Sequence, residues 1–395
     1  MKPVFPAQTG TGTEPLSCGI DPGRYKIQVA LLSPSRVHCN QSFPISASTV
    51  KALRKLLPPR TPVIAEGFGT AGRLFFLELT RARIPCFELN PQLGKHLRIL
   101  ENEGRTDARD AESCAKAAFF FSRLSPLEFQ EEQETLFLLV RRYLRLRDER
   151  VAHLNTLHAL LSESYGSLYR SLGTKVNPRT SQGRAFFARY PSVNALLGSP
   201  RKRKALEAFF PPEKAADLLR ESAPWEARTY LSALEEDIRA LLESVERESA
   251  ALSSLRQQME KLVLSHPQGH YLLSIPGCGC VSAAILLCVI RDIKRFPSES
   301  HFAGYCGLGK VTNQSGEGKS VQKRKMYHRL LQGAFHDLAF ASLRSSPLAK
   351  TYYQKKRRQG RSHRQALMAL ARYYCRIVYS LLRQERPYVE ERAAG

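Results

Sequence analysis

At 395 residues the chain is long enough for two or three domains with their own cores, and 60 Lys plus Arg against 36 Asp plus Glu leave a formal charge of +24. An excess of this size is the footprint of a polyanionic partner, bound in part through counterion release. No run reaches the roughly 18 to 20 apolar residues of a membrane span, and nine cysteines without a CxxC pair exclude a zinc ribbon or a disulfide scaffold, leaving the reduced thiols of a cytosolic protein.

Residues 1–16, rich in Pro, Thr and Gly, are expected to form a flexible tail. From 17 to 125 apolar runs alternate with helical patterns, which is the signature of an α/β domain. Cys18–Asp21 and Ile27–Leu32 read as a hairpin around PGRYK, and Pro62–Ala65 and Cys86–Leu89 as further strands. Amphipathic helices are expected over 50–57 and 71–80. Asp21 then closes the first strand and Glu66 stands at the carboxyl end of a later one, where open α/β sheets place their sites. Asp107 and Asp110, three apart at a helix start, share one face. Four carboxylates in this arrangement suit Mg²⁺, which prefers oxygen ligands and is commonly completed by substrate phosphates.

Residues 126–265 read as a helical, coiled-coil region. Leu231, Leu234, Ile238, Leu241, Val245, Glu248, Leu252, Leu255, Met259 and Leu262 alternate steps of three and four, a heptad seam with one polar interruption. A second stretch, 136–161, carries Val140, Tyr143, Val151, Leu154 and Leu161 among many arginines, and the sequence leaves open whether it pairs within the chain or with a second copy. Clustered charge and Pro-Pro near 165–225 read as an inserted loop segment with short helices.

Residues 266–395 form a mostly helical C-terminal domain. IPGCGC resembles a helix-hairpin-helix turn, with Gly277 ending one helix and Gly279 allowing close backbone approach to a phosphate. A Gly-rich basic loop follows with Ser315, Lys319, Lys323, Arg324 and Lys325, and a basic helical end carries Lys355, Lys356, Arg357 and Arg358 among tyrosines. GEGKS is not a nucleotide loop, because the required upstream glycine is Asn313, and no GxSxG marks a serine hydrolase.

The order Asp21, Glu66, Asp107-x-x-Asp110, a coiled coil, IPGCGCVSAA, RDIKRF and YCGLGKVTNQSG resembles the DEDD-type transposases of the insertion-sequence-110 family, relatives of the Piv DNA invertases. The resemblance implies an RNase H-like, RuvC-like domain over 17–125, with Asp21, Glu66, Asp107 and Asp110 holding two Mg²⁺ ions, or Mn²⁺ in their place. It implies Ser315 as nucleophile in DNA strand transfer. It further implies a bridge RNA that pairs with target and donor DNA, a tetramer built as a dimer of dimers, and a prokaryotic cytoplasmic protein that associates with the nucleoid when active. The chain departs from the family pattern after Ser315, where a Gly-Asn turn is missing, and after Glu66, where Gly67, Phe68 and Gly69 stand in place of a hydroxyl-bearing run. Two other functions fit part of the pattern: a RuvC-like nuclease that hydrolyses branched DNA using the acids alone, and a non-catalytic nucleic-acid scaffold using only the basic patches and the coiled coil.

Overall fold

The computed structural model describes residues 14–66, 72–89, 91–100, 106–120, 124–126, 129–173, 175–315, 318–323 and 327–389. Most of the expected tail, Gly67 to Gly69, Gly316, Arg324 and Lys325 lie outside the described residues. The chain divides into two compact units, one made of Met1–Phe137 with Leu262–Gly395 and the other of Leu138–Lys261. Among the described residues no helix is long and apolar enough to cross a membrane, and all nine cysteines are buried thiols.

The first unit opens with β1 (Ser17–Pro22), β2 (Lys26–Leu32), β3 (Val37–Pro44), α1 (Ala47–Leu56), β4 (Val63–Glu66), α2 (Arg73–Arg81), β5 (Cys86–Leu89), α3 (Pro91–Leu100), α4 (Asp107–Phe120) and β6 (Ser125–Pro126). The sheet order is β3-β2-β1-β4-β5-β6. β1 pairs parallel with β4 and β4 parallel with β5, while β2, β3 and β6 are antiparallel to their neighbours. This mixed sheet is compatible with the expected RNase H-like domain. The sequence reading lacks β3, because HCNQS interrupts its alternation: only Cys39 and Phe43 of that strand are buried, as suits an edge.

The second unit is helical. It takes most of α5 (Glu131–Tyr165), then α6 (Ser167–Leu172), α7 (Ser181–Arg189), α8 (Val193–Leu197), α9 (Lys202–Glu207) and α10 (Pro212–Arg220), and most of α11 (Arg228–Ser265). Leu154, Leu157, Leu161 and Tyr165 of α5 share one core with Leu231, Leu234, Ile238, Leu242 and Val245 of α11, so the two stretches pair within the chain. The buried seam of α11 departs from the strict heptad: Leu242 and Val263 are buried where Leu241 and Leu262 were expected, and Val151 of α5 is exposed. The steps 231, 234, 238, 242 and 252, 255, 259, 263 sum to eleven residues each, close to the 3.6-residue period of a straight helix. Glu248, the polar interruption, meets His153 of α5 at 2.7 Å.

The rest of the first unit runs through α12 (Gly269–Leu273), α13 (Cys280–Ile290), a 3₁₀ turn (Ile293–Arg295), α14 (Glu299–Tyr305), the hairpin β7 (Lys310–Ser315) and β8 (Gly318–Lys323), and α15 (Arg329–Ser345), α16 (Pro347–Arg358) and α17 (His363–Gln384). The turn before α13 needs glycine at 277, where φ is +89° and an added Cβ would stand 2.5 Å from the backbone nitrogen of Ser342. Gly277 is thus packed against α15, whereas a Cβ added at Gly279 would meet nothing within 4 Å.

Alternation along β1 sorts the sheet into two faces. Cys18 and Ile20, with Val63 and Ala65 of β4, join the core under α1 and α2. Gly19 points the other way, and α4 lies directly on it: a Cβ there would stand 1.8 Å from the carbonyl oxygen of Ala111 and 2.5 Å from the nitrogen of Ala115. No side-chain motion relieves a clash with helix backbone. Gly19→Ala is therefore expected to cost about 3 kcal/mol by overpacking, read as a lower denaturation midpoint; an unchanged midpoint contradicts direct packing of α4 on β1.

Candidate active site

The register between β1 and β4 runs Cys18 with Val63, Gly19 with Ile64 and Ile20 with Ala65. Asp21 and Glu66 are the next residues along these adjacent parallel strands, both half-buried at the carboxyl ends. By alternation Asp21 shares the face of Gly19, and Glu66 shares that of Ile64, whose side chain packs with Cys114 of α4. Two acids that are 45 positions apart in sequence (66 − 21) thus meet under one helix.

That helix begins at the other two. The Thr106 hydroxyl accepts from the backbone N–H of Arg109 at 3.3 Å and its carbonyl from that of Asp110 at 2.8 Å, which caps α4. Asp107 and Asp110 occupy the first turn, where the helix dipole favours negative charge. Asp110 is 7% exposed, whereas Asp107 is exposed at the outer end. Cys114, one turn on, reports the convergence: burial raises its thiol pKa first, and the charges of Glu66, Asp21 and Asp110 raise it further, against a backbone hydrogen bond from Glu66. Three of the four expected carboxylates therefore act on one buried atom.

A polar ladder that the sequence did not reveal fixes α4. Gln28 of β2 donates to Asn40 Oδ1 at 2.6 Å, and Asn40 Nδ2 donates to Glu112 Oε1 at 2.6 Å and to the Ala108 carbonyl at 3.1 Å. Glu112, a fifth acid in the run, is thus tied to the edge strand. Among the described residues no three His, Cys, Asp or Glu side chains stand together closely enough to hold a metal ion. The donor set, carboxylates alone at two strand ends and a helix start, still suits a hard divalent cation whose remaining ligands are water and phosphate.

Ser315 is the last residue of β7 and pairs with Gly318, so it stands at the tip of the hairpin. Lys319 and Lys323 lie on β8. Gly279 is exposed and is the N-cap of α13, which has no side-chain cap hydrogen bond. Lys355, Arg357 and Arg358 are exposed in the last turn of α16, and Lys356 lies over the Tyr352 ring at 5.3 Å. Tyr352 stacks on Tyr373 at 5.4 Å, whereas Tyr374 is 1% exposed and belongs to the core.

Residues 18–165, which hold all four acids, match the profile of DEDD-type IS110 transposases, and residues 269–354, which hold Gly277, Gly279 and Ser315, match that of the transposase IS116/IS110/IS902 family. The chain belongs to this transposase family. It is 29% identical over 317 residues to the insertion element IS110 uncharacterized 43.6 kDa protein of Streptomyces coelicolor, with 75% of each chain covered. It is 27% identical to the insertion element IS900 uncharacterized 42 kDa protein of Mycobacterium paratuberculosis, over 72% of this chain and 73% of that protein. A pilin gene-inverting protein of Moraxella lacunata is 28% identical over 149 residues, covering 35% of this chain and 46% of its own.

In this IS110-type chain His328 stands at the N-cap of α15, shortly after the serine hairpin. Burial first, then the charges of Arg295 and Arg73, push its pKa down to about 4 from the usual 6.5. The fold prefers the neutral ring, so this contribution is intact above pH 6.5 and is lost as pH falls toward 4. At 1.36 kcal/mol per unit, about 2 kcal/mol disappears between pH 7 and 4.5. His328→Gln is expected to remove that part of the acid loss, measured as unfolding free energy at the two pH values; an unaltered difference contradicts a neutral buried imidazole.

Proposed function

We propose that the protein is a DNA transposase or recombinase that cuts and rejoins strands through Ser315, with Asp21, Glu66, Asp107 and Asp110 as a cation-binding carboxylate set on an RNase H-like domain. The observation that carries this reading is the meeting of Asp21 and Glu66 at adjacent parallel strand ends beneath the helix whose first turn holds Asp107 and Asp110. Family membership over both matched segments supports it, since those segments contain every residue the chemistry asks for.

A serine hydroxyl is a weak nucleophile at its free pKa and needs activation. In the proposed step the Ser315 oxygen bonds to a backbone phosphorus, the bond from phosphorus to the departing sugar oxygen breaks, the serine loses its proton and the leaving oxygen gains one. The strand is then held as a phosphoserine ester, and attack by a hydroxyl of a new DNA end restores the serine and forms the new phosphodiester. Mg²⁺, or Mn²⁺ in its place, would stabilise the charge on the attacking and leaving oxygens when held by the carboxylates. Asp110 is buried and Asp107 is exposed at the outer end of α4; in this reading Asp107 completes the set as substrate arrives.

The partners in this reading are target and donor DNA and a structured guide RNA. The +24 charge and the exposed Lys355, Arg357 and Arg358 support a polyanionic partner. The N-terminus of α13 after Gly279, which carries no side-chain cap, suits a backbone phosphate. Strand exchange between two duplexes calls for several serines acting together, which favours a tetramer.

The test is a covalent-adduct assay: full-length protein, its co-expressed RNA, Mg²⁺ and labelled junction DNA, resolved under denaturing conditions. An adduct is expected that disappears in both Ser315→Ala and Asp21→Ala. Cleavage that survives Ser315→Ala without an adduct points to hydrolysis by the acids alone, and absence of cleavage by any form points to a scaffold.

A further inference from the structure

Within the first unit, the sheet domain and the C-terminal helices line a partly open cavity of about 220 Å³, onto which Arg73, Glu88, Arg291, Arg295 and His328 open. Its charges do not cancel. Glu134 accepts from Arg73 at 2.6 Å and from Arg291 at 2.5 Å, and Glu88 accepts from Arg295, so three guanidiniums face two carboxylates. The side chains of Arg291 and Arg295 are only 8% and 7% exposed, so this surplus is carried out of bulk water. His328, held neutral by burial and by Arg295 and Arg73, offers no counter-charge.

The guanidinium planes are also fixed in orientation. Arg73 lies 3.4 Å over the Phe137 ring, Arg291 lies 4.1 Å over Phe129, and Arg295 lies 5.4 Å from the Tyr305 centroid. A guanidinium stacked on a ring directs its in-plane N–H donors outward, where a carboxylate, as here with Glu134 and Glu88, or another planar or tetrahedral oxyanion can accept from them. Among the side chains that line the cavity, two buried atoms have no hydrogen-bond partner, Nε of Arg73 and Nδ1 of His328. A cavity this size holds a tetrahedral anion with waters, each water taking roughly 30 Å³. We infer that it is a phosphate-binding site: Arg73, Arg291 and Arg295 hold the anion, and His328 offers a ring nitrogen to it or to its water.

The place in the chain bears on the source of the phosphate. Arg73 follows Glu66 by seven residues and His328 follows Ser315 by thirteen, so the cavity joins the segments that carry the two halves of the proposed chemistry. Binding of phosphate does not rest on the strand-transfer reading; only its assignment to the substrate backbone, over free inorganic phosphate, does.

The experiment titrates inorganic phosphate against chloride at constant ionic strength, without divalent ions, into the full-length protein and follows the thermal midpoint. The expected result is a saturable rise of ~3 °C in the wild type. Asp21→Asn is expected to keep this response, which separates it from the carboxylate site. Arg73→Lys keeps a charge for Glu134 but loses Nε and the fork, and is expected to weaken the response at least tenfold. Glu88→Gln makes the cavity more positive and is expected to strengthen it at least threefold, which guards against a poorly folded Arg73 variant. A rise suppressed by prior saturation with duplex DNA assigns the site to backbone phosphate, and one that persists assigns it to free phosphate. The inference is overturned by no saturable rise, by an equal rise in Arg73→Lys together with Glu88→Gln, or by its loss in Asp21→Asn.

Discussion

The site depends on a missing side chain. Gly19 lets the backbone of α4 rest on the central strand, with no room there even for a methyl group. Because strand residues alternate, the face that α4 covers is also the face of Asp21 and Glu66, and because β1 and β4 run parallel, those two acids end their strands together. One packing contact therefore sets the height and direction at which α4 delivers Asp107 and Asp110. Two like charges about 4 Å apart at an effective dielectric near 20 repel by about 4 kcal/mol, so a scaffold that gathers carboxylates must be held by other interactions. The Gln28–Asn40–Glu112 ladder, which ties the edge of the sheet to the first turns of α4, supplies one of them.

A second set of contacts joins the sheet domain to the C-terminal helices. Glu134 bridges Arg73 of α2 and Arg291 at the end of α13, and Glu88 of β5 takes Arg295. Arg291 adopts φ of +60° with ψ of −90°, a sparsely populated conformation that costs a non-glycine residue on the order of 1–3 kcal/mol. The strain is offset by the buried pairing with Glu134. Removing one partner of such a network would leave a buried charge without compensation, which is far more costly than losing a surface pair. The segment carrying the serine hairpin and the segment carrying the acids are thus parts of one folded unit.

What was legible in the sequence was local. The β1–β2 hairpin, the ends of β4 and β5 and the start of α4 follow from apolar alternation and from acids at fixed spacing, signals that occupy a few residues each. β3 was hidden because an edge strand buries only every fourth residue here, Cys39 and Phe43, and fills the rest with polar side chains. The apolar spacing of α11 reads as a heptad, although its buried positions shift by one at Leu242 and Val263, since a straight helix follows 3.6 residues per turn. The arginine and glutamate network was out of reach because its partners are 61, 157 and 207 residues apart. For the same reason the packing of Gly277 against α15 was out of reach, since its neighbour Ser342 is distant in sequence.

The central claim is that strand-end and helix-start carboxylates from three separate segments act as one cation site. The most direct test is Mn²⁺ binding by the full-length protein, followed by electron paramagnetic resonance, in the wild type and in Asp21→Asn, Glu66→Gln and Asp110→Asn. Each substitution is predicted to weaken the same binding event at least tenfold while the circular dichroism spectrum is unchanged. Mn²⁺ bound with equal affinity by the wild type and all three variants would contradict the account.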